Sequence, residues 1–226
     1  MTETADWWAR PRRVDVLVDN PSWILPHAQA LVDACLARGD RARLIRNASE
    51  AAEGGVLYLL GCVQLLPAEQ RSLYRRVLVV HESNLPQGRG FSPLTWQTLA
   101  GEMEIPICLL DAVEEADAGP VIYRDWLRFD GTELIPEMRL AQGRKTVELA
   151  LRFLDAAAPT EGEPQTGEPT SFARRRPEDS RLDPNRSLAE QFSLLRVVDN
   201  EAYPAFFDYR GRRYILKIEA EPKPND

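Results

Sequence analysis

Two histidines and three cysteines are all that this 226-residue sequence contains of those residue types. The cysteines (Cys35, Cys62 and Cys108) are odd in number and widely spaced. That pattern excludes a disulfide framework and a zinc motif, so no metal is expected, and it points to the reducing cytoplasm. No apolar run approaches the roughly 20 residues of a membrane-spanning helix. The opening MTETADWWARPRR has no apolar stretch of the kind a secretory signal carries. Positive charge is in deficit, with 28 Lys+Arg against 35 Asp+Glu and a net charge of −7. Phosphate affinity comes mostly from Lys and Arg, so neither nucleic acid nor a membrane surface is expected as a partner. A G-x-G-x-x-G after the first strand is missing, as is a phosphate-loop lysine, and nothing repeats at a fixed period. What is present is the balance of a globular chain, 44% apolar and 28% charged. The length suits one large domain, or one with a small appendage.

The first half alternates strand-like and helix-like segments. Residues 14–18 form a short β-branched run, followed by the turn Asp19-Asn20-Pro21-Ser22. Pro26 suits a helical first turn, Ala28, Leu31, Ala34 and Cys35 share one helical face, and Gly39 is a stop. Residues 44–45 read as a weak strand, 56–60 as a stronger one, and 67–75 as a helix. Residues 77–80 are apolar throughout, a strand buried on both faces. Ser92-Pro93 reads as an N-cap opening a helix that ends near Gly101. Further strands are expected over 105–110 and 121–126, and a long helix over 132–156. This alternation predicts an α/β, Rossmann-like domain over 1–156 with a mostly parallel sheet. Residues 157–170 are rich in Pro, Gly and Glu, as expected of a linker or an exposed excursion. In the piece 171–226, Ser187 and Glu190 form a capping box before a short helix, and 205–209 with 213–218 flank a hairpin turn. About fifty residues bury little surface alone, so this piece should pack on the main domain. Its tail, EAEPKPND, is expected to fray.

Of the two histidines, His27 reads as a surface residue of the first helix. His81 directly follows the apolar strand, and ligands in open α/β sheets gather at the carboxyl ends of strands. A polar loop with two glycines follows, 82–90. Position alone leaves a catalytic role and a loop hydrogen bond evenly balanced. A second loop, 111–120, carries Asp111, Glu114, Glu115 and Asp117. Glu114 reads as solvated. Asp117 opens a tighter turn, Asp117-Ala118-Gly119, and could point back at the sheet edge. A carboxylate there would orient the His81 ring and fix its tautomer.

Residues 81–93, HESNLPQGRGFSP, followed by 111–121, DAVEEADAGPV, resemble the formyltransferases that use 10-formyltetrahydrofolate. That superfamily has a His, a short gap, Leu-Pro, Arg-Gly, and a downstream Asp-x-Gly. The resemblance spans about 14–154 and continues into 174–183 (RRRPEDSRLD) and 194–207 (LLRVVDNEAYPAFF), which are similar to segments of sugar N-formyltransferases. The relatives it suggests act on 4-amino sugars in pseudaminic-acid and related surface-glycan pathways. It implies the formyltransferase fold and formyl transfer to the primary amine of a nucleotide-linked amino sugar, of 4-amino-4,6-dideoxy type. It also implies a catalytic Asn, His and Asp. His81 and Asp117 match the last two. The Asn lies two residues before the His, where this chain has Val79. In the family that Asn donates to the formyl oxygen, and losing one such donor typically costs on the order of 10²–10³ in rate. Asn84, backbone N–H groups or protonated His81 are candidate replacements.

The resemblance places the folate against Val113, Glu115 and Ala116, with Cys62 and Val63 nearby, mostly through backbone. Cys62 by itself reads as a small packing residue. For the amine substrate the candidates are Asn20, Ser22, Trp23, Ser83 and Asn84. Trp23 could stack on a sugar or base and is as often simply core. Arg175 and Arg176 could bind a diphosphate. The alternatives are formylation of methionyl-tRNA or of glycinamide ribonucleotide, a folate-dependent hydrolase, and a non-catalytic folate or sugar binder, the last motivated by Val79. The negative charge and a C-terminal piece too short for a tRNA-binding barrel weigh against the tRNA substrate. The hairpin edges could pair across a homodimer.

Overall fold

A computed structural model describes residues 7–221. In chain order the strands are β1 (Arg13–Leu17), β2 (Arg41–Ile45), β3 (Gly54–Leu59), β4 (Tyr74–His81), β5 (Arg89–Gly90), β6 (Glu104–Asp111), β7 (Val121–Arg128), β8 (Ser171–Phe172), β9 (Ala205–Tyr209) and β10 (Arg212–Leu216). The α-helices are α1 (Leu25–Ala37), α2 (Ala68–Arg71), α3 (Pro93–Leu99), α4 (Ile135–Leu154) and α5 (Phe192–Val197). The main sheet has the order β2-β1-β3-β4-β6-β7. Its first four strands run parallel, and β6 and β7 are antiparallel additions. The expected α/β architecture with a mostly parallel sheet and a C-terminal hairpin is therefore present.

The apolar alternation of β1, β3 and β4 supplies both sheet faces. On one face Val14, Val16, Tyr58 and Leu78 pack with Leu31 of α1 and with Met138, Leu149 and Phe153 of α4. The Tyr58 hydroxyl donates to the Ala150 carbonyl at 2.8 Å, so the buried phenol is satisfied. On the other face Leu17, Ile45, Leu57, Tyr74 and Val77 form a second cluster. Helices α1 and α4 meet at Gly143, where a Cβ would lie 2.3 Å from the His27 ring. His27 is thus half-buried against α4 rather than a surface residue, and burial, then nearby Arg144, lowers its pKa.

Local signals yielded to the sheet in two places. The helix expected over 67–75 shrinks to α2, because Tyr74 already pairs with Gly54 and its hydroxyl donates to buried Asp15. Ser92 does not cap α3: its backbone is left-handed (φ 51°) and no side-chain cap bond forms. An N-cap normally needs an extended backbone to aim its oxygen at the first-turn N–H groups.

Residues 157–170 run along the edge of the molecule and return to it. Glu163 and Val121 exchange backbone hydrogen bonds at 2.8 Å, and Arg76 donates to the Thr160 carbonyl at 3.1 Å. The chain then enters β8, parallel to β5. The Ser187–Glu190 box forms as read, with Ser187 N donating to Glu190 Oε2 at 2.9 Å. Arg196 of α5, almost wholly buried, donates to the Glu133 carbonyl at 3.0 Å and to its carboxylate at 3.2 Å, which fastens the C-terminal piece to the main domain. The hairpin β9–β10 turns at Arg210-Gly211, both at positive φ. The tail expected to fray lies, from residue 222, outside the described residues. Among the described residues, no helix is long and apolar enough to cross a membrane and no cluster of His, Cys, Asp and Glu could hold a metal ion.

Candidate functional site

His81 is the last residue of β4 and is buried. Its Nε2 lies 2.8 Å from the Gly88 carbonyl oxygen. A carbonyl can only accept, so Nε2 carries the proton of the neutral ring and Nδ1 is its basic nitrogen. Nδ1 faces Asp117 Oδ1 at 3.5 Å. The sequence places these residues 36 positions apart; the antiparallel strand β6 brings them together. Its register pairs Asp111 with Leu78 and Cys108 with His81, so the acidic turn begins short of the end of β4. The turn must fold back to reach His81. It does so through Asp117, whose backbone is left-handed (φ 56°), a conformation that aspartate tolerates better than most residues. Gly119 closes the turn against the Asp111 carbonyl, which a Cβ would approach to 1.8 Å. Asp117 Oδ2 accepts from the Gly90 N–H at 2.9 Å. The Arg-Gly pair after His81 therefore supplies the donor that holds the carboxylate.

A cleft of about 540 Å³ opens beside this pair, over the carboxyl ends of β3 and β4. Ser22 and Trp23 line it from the β1–α1 loop, and Cys62 and Val63 from the loop after β3. Val113, Glu115 and Ala116 line it from the acidic turn. The walls are largely apolar, with Leu60, Val79 and Leu110 among them. Cys62 donates to the Leu17 carbonyl at 3.3 Å, and burial raises its pKa to about 12, so it is no nucleophile. A larger depression of about 800 Å³, lined by Arg13, Gly54 and Tyr74, lies at the opposite, amino ends of the strands, away from the His81–Asp117 pair.

Five residues singled out from the sequence do not line the cleft. Asn20 is bound to Asp19 and to the Gly61 carbonyl. Ser83 is buried with its hydroxyl unpartnered. Asn84 accepts from Arg124 at 3.1 Å. Arg175 turns into the C-terminal piece, donating to the Val197 carbonyl and to Ser180, and burial lowers its pKa. The Arg176 backbone N–H is capped by Asp179. Val79 packs with Leu85, Cys108, Leu110 and Val121, and its side chain offers no donor.

Sequence reasoning missed four polar groups of the cleft. Glu82 is buried, and burial raises its pKa, opposed in part by His81 and by a hydrogen bond from Gln142. In a polar loop such a glutamate reads as solvated. Gln142 and Thr146 reach the cleft from one face of α4, where their i, i+4 spacing was a usable signal. Arg71 also lines the cleft, donating to the Leu66 and Val113 carbonyls.

No family model matches the chain. Solved structures do. A methionyl-tRNA formyltransferase from Clostridium thermocellum matches with a TM-score of 0.77 and 22% identity, over 95% of this chain and 95% of that chain. A sugar N-formyltransferase from Shewanella sp. matches with a TM-score of 0.67 and 12% identity, over 93% of this chain and 98% of that one. HypX from Aquifex aeolicus, in complex with tetrahydrofolic acid, matches with a TM-score of 0.72 and 17% identity, over 96% of this chain and 40% of that one. The chain has the formyltransferase fold.

Proposed function

We propose that this protein transfers a formyl group from 10-formyltetrahydrofolate to the primary amine of a nucleotide-linked amino sugar, of the 4-amino-4,6-dideoxy type. The observation that carries the reading is the pair of buried His81 and half-buried Asp117, 3.5 Å apart, beside a cleft whose apolar walls suit a flat heteroaromatic ring. Cys62, Val63, Val113, Glu115 and Ala116 would hold the folate, which supplies the formyl group. Ser22 and Trp23, from the β1–α1 loop, would receive the sugar.

The chemistry follows from the ring's environment. An amine attacks a formyl carbon only when neutral, and it must lose a proton as the new C–N bond forms. His81 Nδ1 is the basic site, because the Gly88 carbonyl holds the proton on Nε2. The proton received at Nδ1 then lies against the Asp117 carboxylate, which is itself fixed by the Gly90 N–H. The same proton can pass to the departing folate nitrogen, so the pair ends each cycle as it began. Binding both substrates in one cleft beside the pair would also hold the reactants in line.

The reading is tested by incubating the protein with 10-formyltetrahydrofolate and a series of nucleotide amino sugars. A formyl adduct in the mass spectrum, matched by release of tetrahydrofolate, is expected. Tetrahydrofolate release without any amine would instead identify a hydrolase. The donor-less Val79 favours a second reading, a non-catalytic folate or sugar binder, which binding without turnover would establish.

A further inference from the structure

We propose that Gln165 is a positioning residue that ties the segment following His81 to the turn carrying Asp117, and so sets the separation of that pair. Gln165 sits in the Pro- and Glu-rich segment that composition alone marks as a spacer. Its side chain is engaged at both its nitrogen and its oxygen. Nε2 donates to the Asp117 carbonyl at 2.7 Å and to the Gly119 carbonyl at 2.8 Å. Oε1 accepts from Arg89 Nη2 at 2.9 Å.

Each contact falls on a group that the site needs. Asp117 and Gly119 lie at the tip of a turn, where no strand ladder supplies donors for their carbonyls, and Asp117 holds a left-handed backbone. Fixing both carbonyls fixes the direction in which the Asp117 carboxylate leaves the turn. Arg89 immediately precedes Gly90, whose N–H holds that carboxylate from the other side. One carboxamide therefore spans the two loops.

The segment is itself anchored on both sides of Gln165. Glu163 exchanges backbone bonds with Val121. The Thr170 carbonyl accepts from Arg89 N at 2.9 Å, and Thr170 Oγ1 accepts from Gly88 N at 2.9 Å. Gly88 is also the residue whose carbonyl holds His81 Nε2. A segment pinned in this way places Gln165 with little freedom, which is what a positioning contact requires. The link to catalysis rests on the formyl-transfer reading; the link to His81 geometry does not.

The test uses the full chain and two readouts. The first is the ¹H–¹⁵N correlation of the histidine imidazoles, which contains signals from His27 and His81, assigned with His27→Gln. The second is steady-state formyl transfer. Gln165→Ala is expected to shift the His81 ring signals and leave those of His27 in place. It should lower kcat about tenfold or more with KM for 10-formyltetrahydrofolate unchanged, because a small misplacement of reacting groups is costly. Gln165→Glu should behave likewise: it keeps an oxygen for Arg89 but loses both N–H donors. Glu163→Ala should match wild type in both readouts, since its contacts are made by backbone. Superimposable His81 signals in Gln165→Ala would overturn the proposal. So would an activity loss in which both histidines shift and the melting temperature falls in step, since that is general loosening. If wild type transfers no formyl group, the functional reading fails while the imidazole spectra still decide the role of Gln165.

Discussion

The two ends of the central sheet treat buried charge in opposite ways. At the amino ends Arg12 and Asp40 are both almost wholly buried and meet fork to fork, at 3.0 and 2.9 Å, with the remaining Arg12 nitrogen on the Leu154 carbonyl at 2.7 Å. Within β1, Asp15 is likewise complete, taking Arg43 on both oxygens and the Tyr74 hydroxyl. At the carboxyl ends Glu82 is equally buried, yet no Lys or Arg pairs with it among the described residues. Beside it the His81–Asp117 contact is long, at 3.5 Å. A closed network of charges holds a fold together, whereas the open groups beside the cleft are where the proposed chemistry would be done.

That contrast is broken most sharply at His81. His81→Ala should reduce formyl transfer by about 10²–10⁴-fold, the usual worth of a positioned acid–base group, with circular dichroism and melting temperature near wild type. Asp117→Asn keeps an oxygen for the Gly90 N–H and removes only the charge, so a smaller loss, about 10²-fold, is expected in the same assay. A loss of stability at unchanged kcat in either variant would move that residue from the chemical end to the structural one.

The opposite end should respond in the opposite sense. Asp40→Ala leaves the Arg12 guanidinium buried and unpaired, which costs about 3–5 kcal/mol. Denaturant unfolding should show that loss, while kcat measured well below the melting temperature stays within about twofold, since no reacting group has moved.

Glu82 gives the smallest effect and the finest test. Its pKa is raised in the folded protein, so above the ordinary glutamate value of 4.5 the folded state holds a proton that the unfolded state has lost. Stability therefore declines as pH rises from that value through the folded pKa, the reverse of a salt-bridged carboxylate. Glu82→Gln should remove this slope and gain on wild type as pH rises. Parallel stability–pH curves for the two proteins would show that Glu82 is not held in this way.

Much of this was legible in the residues themselves. The apolar strands, the Pro26 start and Gly39 stop of α1, and the Ser187–Glu190 box depend on neighbours close in sequence. His81 was visible because an imidazole directly after a buried strand must emerge at the strand's end. Asp117 was visible as the acid in the tightest turn. Residues whose surroundings come from afar were not. Tyr74 reads as helical until Asp15 and Gly54 claim it. Glu82 reads as solvated until α4 covers it, and Gln165 reads as spacer until Val121 and Arg89 pin the chain on either side.

The sequence alone determined the class of the fold and singled out His81 and Asp117 as candidates near one end of the sheet, because hydrophobic period, turn chemistry and residue type act over a few positions. Tertiary structure alone decided that the imidazole and the carboxylate meet, that the buried glutamate goes without a cation, and that the supposed spacer clamps the pair. Those outcomes depend on strand register and chain return, in which groups far apart in sequence compete for the same hydrogen bonds and the same dry volume.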